Sequence, residues 1–199
     1  MCRFIETICF EKGNFQRVEL HNERFNLTRK HFFGIRTDLR LELLLSIPEH
    51  LLGQTVKCTV TYGSEIENIE YAAYHIRTVK SLLLINDDTI DYAFKYYDRT
   101  RITTLYHKRG QCDDILIVKN GLITDTSYAN IVFRKDDQWY SPQNPLLRGT
   151  RLTSYLQNNL VTPALLRPDD LRFFSEARII NAMISIEEAP VIAIENINW

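Results

Sequence analysis

The chain has 199 residues, 45% hydrophobic and 25% charged, with a formal net charge of -1, enough to fold as one large domain or two small ones. No basic excess exists to neutralise phosphates, which argues against a nucleic-acid partner. The most apolar stretch, residues 39–52, is broken by Arg40, Glu42, Pro48, Glu49 and His50, so no membrane span is expected.

Residues 2–11, rich in Ile, Phe and Thr, read as a strand. Glu6 interrupts the apolar run too early for a signal peptide. Lys12-Gly13-Asn14 reads as a turn and residues 15–20 as a second, alternating strand. Phe25, Leu27, Phe32 and Phe33 among charges predict a helix over residues 21–33 with a stop at Gly34. Residues 39–52 suit a short helix, or a loop and a helix, ending at Gly53. Strands are expected at 54–62, within 65–76 and at 81–85, with a break at Asn86-Asp87-Asp88. Beyond it, strand and helix signals alternate: a helix at 99–108 ended by Gly110, a strand at 114–119, and a tight turn at Asn120-Gly121. Then follow a strand at 130–134, helices at 150–159 and 169–174, and a buried strand at 177–183. The pattern predicts an α/β (α+β) protein of two lobes.

Cys2, Cys9, Cys58 and Cys112 form no C-x-x-C pair, so reduced thiols in a cytoplasmic protein are the simplest expectation. None of the five histidines sits in a metal-ligand pair, and no metal is expected.

Five segments follow one another in a telling order: HNERF at 21–25, FKYYDR at 94–99, LITDTSYANIVF at 122–133, PLLRGT at 145–150 and IINAMI at 179–184. This set resembles the class IV aminotransferase family, the pyridoxal 5′-phosphate (PLP) enzymes of fold type IV. Within that family it is most similar to 4-amino-4-deoxychorismate lyase-like members, through Arg99 four residues past Lys95 and through Asn181-Ala182. The resemblance spans most of the chain and is strongest from Lys95 to Met183. It implies a D-amino-acid aminotransferase-like fold with a reduced N-terminal lobe, residues 1–86, and a larger C-terminal lobe, residues 87–199, carrying the PLP lysine. It also implies a homodimer whose active sites lie between the lobes.

The resemblance assigns roles that the chemistry explains. PLP serves as an electron sink and needs a lysine that bonds it and then moves protons. Lys95, set among Tyr92, Phe94, Tyr96 and Tyr97, takes this role; alone, it would read as a surface lysine. A carboxylate must face the ring nitrogen, and Asp125 stands where the family carries a glutamate. The aspartate is one methylene shorter, so the ring sits closer or a water intervenes. Asn130 reads as a residue that holds the loop. Arg24 of HNERF is the phosphate anchor, because a guanidinium makes paired charged hydrogen bonds to an oxyanion. Gly149 and Thr150 open a helix whose amides suit a phosphate, and Leu147 could cover a ring face. The register after Thr150 is open, since Arg151 follows directly. Asn181 and Ala182 bring groups towards the phosphate, or else simply end a strand. Arg99 lies near the cofactor or a substrate carboxylate, or else makes a helix-start ion pair.

Three readings of function follow, all with a small amino substrate or none. The first is a lyase that releases pyruvate from 4-amino-4-deoxychorismate to give 4-aminobenzoate, a folate precursor. The second is an aminotransferase for a small branched-chain or D-amino acid. The third is a relic of the fold without catalysis, suggested by the trimmed lobe and the Glu-to-Asp change.

Overall fold

The computed structural model describes residues 2–199. The chain forms two compact units: one holds the residues up to His75 and Phe94–Asp98, the other Ile76–Ala93 and Arg99–Trp199. The sequence reading placed one boundary near residue 86; by contacts, the changeovers fall after His75, Ala93 and Asp98. Lys95 therefore belongs to the first unit.

In the first unit, β1 (Phe4–Glu11) lies between a two-residue β2 (Asn14–Phe15) and β3 (Val56–Tyr62), and β4 (Ile66–Ala73) completes the sheet. β1 and β3 pair antiparallel from Phe4↔Tyr62 to Phe10↔Val56. Phe4, Glu6 and Ile8 alternate inwards along β1, as a half-buried strand requires. The expected strand at 15–20 is not formed. β2 stops at Phe15, Arg17 adopts a left-handed backbone at φ 54°, and helix α1 begins at Val18. α1 (Val18–Phe33) buries Val18, His21, Phe25, Thr28 and Arg29, a three-and-four spacing that lays one face on the sheet. Gly34 ends α1 in a left-handed conformation at φ 69°, its amide bonded to Arg29 and Lys30 carbonyls. Residues 39–52 hold two short 3-10 turns, Leu41–Leu43 and Glu49–Leu51. Phe4, Ile8, Phe25, Leu41, Val56, Cys58, Val60 and Tyr62 form the core of this unit.

β2 covers β1 only at Phe10 and Glu11, which leaves the start of β1 with an open edge. Phe94–Asp98 fills it. The Ile5 amide donates to the Lys95 carbonyl at 3.0 Å and the Tyr97 amide to the Arg3 carbonyl at 2.9 Å, on either side of a Phe4↔Tyr96 pair.

The second unit has two sheets. One runs β13-β5-β6-β7, with β5 (Leu82–Asn86), β6 (Asp114–Lys119), β7 (Leu122–Thr126) and β13 (Ile197–Asn198). β5 and β6 are parallel, and the crossover between them carries α2 (Thr100–Tyr106). β6 and β7 join through Asn120-Gly121, both left-handed at φ 52° and 73°, the conformation a two-residue hairpin turn demands. The other sheet runs β10-β9-β8-β11-β12, with β8 (Asn130–Lys135), β9 (Gln138–Pro142), β10 (Val161–Ala164), β11 (Glu176–Ile180) and β12 (Ile192–Ala193). Leu116 and Val118 pack with Ile131, Phe133, Ala177 and Ile179 in one core. Helix α3 (Thr150–Gln157) precedes β10, and a 3-10 turn at Pro168–Phe173 precedes β11. The strand expected at 177–183 ends at Ile180, because Asn181 folds the chain into a turn. Among the described residues no helix is long and apolar enough to cross a membrane.

Candidate active site

Two groups of side chains, one in each unit, carry the residues singled out from the sequence. In the first unit Lys95 is half-buried, with its backbone fixed on the edge of β1. Its neighbours Phe94 and Tyr96 pack against the core around Phe4. His31 stacks on Phe94 with ring centroids 4.9 Å apart, while Tyr97 lies outside under the Arg3 guanidinium. Tyr92 belongs to the second unit.

One turn-and-a-half into α1, Arg24 reaches Glu6 of β1. Nε donates to Oε1 at 2.8 Å and Nη2 to Oε2 at 2.6 Å. His21 donates through Nδ1 to the same Oε2 at 2.6 Å. Glu6 and His21 are fully buried. Burial alone would raise the Glu6 pKa, but the Arg24 charge and the hydrogen bonds from Arg24 and His21 outweigh it and hold the group at about 2. Burial pushes the His21 pKa down, against the pull of Glu6, so the imidazole is neutral at physiological pH. Glu6 escaped the sequence reading. Its signal was a single carboxylate at an inward position of an otherwise apolar strand face, which requires a partner.

The second unit gathers Asp125, Asn130, Leu147, Gly149 and Thr150. Asp125, one residue before the end of β7, is buried. Its Oδ1 accepts Asn130 Nδ2 at 2.7 Å and its Oδ2 accepts the Leu147 amide at 2.9 Å. These uncharged donors only partly offset burial, which pushes the carboxyl up to about 7. Asn130 also donates to the Leu147 carbonyl at 2.8 Å and accepts the Gly149 amide at 3.0 Å. A Cβ on Gly149 would lie 2.6 Å from Asn130 Oδ1, so this approach admits only glycine. Asn130 thus binds the acid to the loop that opens α3. Thr150, the first residue of α3, is buried.

Arg151 donates from Nε to the Asn181 carbonyl at 2.7 Å and from Nη2 to the Ala182 carbonyl at 3.2 Å. The turn after β11 is therefore tied to the first turn of α3. Asn181 Oδ1 closes that turn by accepting the amides of Met183 at 2.8 Å and Ile184 at 3.1 Å. Arg99, just ahead of α2, donates to the Ser127 carbonyl, in the short connection between Asp125 and Asn130. The sequence reading noted Arg151 only for its place after Thr150 and gave it no role, since its partners are backbone carbonyls about thirty residues away.

The model of class IV amino-transferases matches residues 3–192. The chain belongs to the class IV aminotransferase family. It is 35% identical over 185 residues, 92% of this chain and 98% of its relative, to an uncharacterized protein of Haemophilus influenzae. Among solved structures it is similar to a candidate 4-amino-4-deoxychorismate lyase of Haemophilus somnus, with 27% identity and a TM-score of 0.84 over 92% of this chain and 97% of that one. A candidate amino-acid aminotransferase of Mesorhizobium loti shares the fold at 16% identity and a TM-score of 0.73, over 97% of this chain and 98% of that one. A hypothetical aminotransferase of Mycobacterium tuberculosis in PLP-bound form does so at 14% identity and a TM-score of 0.75, over 96% of this chain and 80% of that one. The protein thus has the PLP fold type IV architecture in a short version, and its family is PLP-dependent.

The residues present suit that cofactor. A buried carboxyl with only uncharged donors, held at about 7 by burial, is ready for a cationic partner such as a protonated ring nitrogen. The Gly149 backbone, kept free of a side chain by Asn130, opens a helix whose amides suit a phosphate.

Proposed function

We propose that this chain binds PLP through Lys95 and acts as an aminodeoxychorismate lyase-like enzyme, converting 4-amino-4-deoxychorismate to 4-aminobenzoate and pyruvate. The observation that carries the cofactor reading is the buried Asp125 carboxyl, which has hydrogen-bond donors but no charged partner among its contacts. The lyase reading is supported by Arg99 four residues past Lys95 and by similarity to the candidate lyase of Haemophilus somnus.

When bound, PLP supplies an electron sink for the charge left on the substrate carbon that bears the amine. Asp125 would face the ring nitrogen and keep it protonated. Arg24, Gly149 and Thr150 would hold the phosphate, and Leu147 would cover one ring face. Asn181 and Ala182, tied to α3 by Arg151, would complete the phosphate cup. Arg99 would set the Asp125–Asn130 connection through Ser127. Lys95 Nζ would take the proton from the carbon that bears the amine; loss of the enolpyruvyl group with its oxygen would leave the ring aromatic, and the proton held by Lys95 would pass to the departing enolpyruvate to give pyruvate. We place the enzyme in the cytoplasm as a homodimer.

The test is incubation of purified protein with PLP and 4-amino-4-deoxychorismate. Formation of 4-aminobenzoate and pyruvate in equal amounts is expected. A near-visible PLP band without 4-aminobenzoate, together with conversion to the pyridoxamine form by an amino donor, would replace the lyase with an aminotransferase. Absence of any PLP band would leave a non-catalytic protein of this fold.

A further inference from the structure

Glu6 is expensive for the fold. It places a carboxylate in the same inward row as Phe4 and Ile8, with no exposure, where an apolar residue of similar volume would pack without desolvating a charge. Its oxygens accept three donors, two from Arg24 and one from His21. A carboxylate so enclosed cannot itself touch a ligand. Of the three side chains, Glu6 and His21 are wholly buried and Arg24 is 16% exposed, so any effect of the group on a ligand passes through Arg24.

We infer that Glu6 is a positioning residue: with His21 behind it, it turns the Nε–Nη2 edge of Arg24 inwards and fixes the guanidinium in one orientation for the cofactor phosphate. The inference rests on the reading of Arg24 as phosphate anchor. An unpaired arginine samples many rotamers, and ordering it on binding costs affinity. Glu6 removes that cost before the phosphate arrives. The alternative, a purely electrostatic role, has the opposite sign: the Glu6 charge opposes a phosphate dianion, so its removal would tighten binding.

The experiment compares PLP with pyridoxal, which lacks the phosphate, by titrating cofactor-free protein and following fluorescence. Arg24→Gln is expected to reduce the preference for PLP by at least about tenfold, the scale of a lost charged hydrogen bond. Glu6→Gln is expected to reduce it by about tenfold, with pyridoxal affinity unchanged. A preference unchanged or increased in Glu6→Gln, with the loss intact in Arg24→Gln, overturns the positioning role and leaves the anchor standing. No loss in Arg24→Gln removes the anchor and the inference with it. Should Glu6→Gln fail to fold, nitrogen-15 spectra of the wild-type protein decide. The Arg24 Nε–H signal, assigned by its disappearance in Arg24→Gln, is expected to stay protected from exchange when PLP is added. Fast exchange in the PLP complex would mean that phosphate binding breaks the Glu6 contact, and would overturn the proposal.

Discussion

The Gly149 amide donates to Asn130 Oδ1 at 3.0 Å, and the same oxygen lies 2.6 Å from where a Cβ on Gly149 would stand. One side-chain amide therefore holds the loop ahead of α3 and forbids it a side chain. Asn130 cannot swing away cheaply, because Nδ2 is engaged by Asp125 and by the Leu147 carbonyl.

Gly149→Ala should accordingly destabilise the protein by about 1–3 kcal/mol, the usual scale of forced overpacking, and weaken PLP binding. Asn130→Ala removes the obstructing oxygen, so in its background Gly149→Ala should cost far less. A double-mutant cycle of denaturant unfolding measures this coupling. Additive costs would show that the two residues do not restrain each other.

Asp125 predicts a pH dependence of stability with a definite sign. Its ordinary pKa is 3.8, and burial raises it to about 7 in the folded chain. Below 3.8 both states are protonated and the group carries no penalty. Between 3.8 and 7 the unfolded chain releases the proton while the folded chain keeps it, so stability falls as pH rises. Above 7 the full penalty applies, on the order of 4 kcal/mol. Asp125→Asn should remove this slope. Unfolding of the cofactor-free protein at about pH 5 and about pH 8 checks it: the variant should gain on the wild type at the higher pH. His21 contributes with the opposite sign, its lowered pKa costing stability as pH falls below 6.5, but equally in both proteins. A difference that does not grow with pH would show that Asp125 is ionised without penalty.

Much of this arrangement was legible in the residues. Richness in Ile, Phe and Thr marked β1, alternation of β-branched residues marked β3, Gly34 marked the end of α1, and Asn120-Gly121 marked the β6–β7 hairpin, since each depends on local backbone preference. Other features depend on partners far along the chain. Val18-Glu19-Leu20 alternates like a strand, yet it joins α1 because Val18 and His21 continue the buried face towards Phe25. β10 contains Pro163 and lies at a sheet edge beside β9, where a missing amide is tolerated. Glu6 paired with Arg24 and Arg151 on the 181–182 carbonyls are tertiary contacts between groups whose spacing carries no period.

Lys95→Ala tests the proposed covalent cofactor site. The segment is held by backbone bonds to Ile5 and Arg3 and by the rings of Phe94 and Tyr96, none of which needs the lysine side chain. The near-visible band of the PLP complex should vanish. A band that persists in the variant would assign the covalent bond to another amine.

Arg151 offers a last prediction, about the turn proposed to complete the phosphate cup. It joins α3 to the Asn181-Ala182 turn through two hydrogen bonds from one planar group, at 2.7 and 3.2 Å. A lysine offers a point charge without that fork, so it can satisfy one carbonyl and not both in the same geometry. Arg151→Ala should cost about 1.5–3 kcal/mol, the range for charge-assisted bonds, and Arg151→Lys should recover only part of it. Hydrogen exchange separates this local effect from global unfolding: the amides of Met183 and Ile184, which close the turn on Asn181 Oδ1, should lose protection more than those of β8 and β11. Equal loss in all of them would mean that Arg151 stabilises the whole unit instead of fixing the turn against α3.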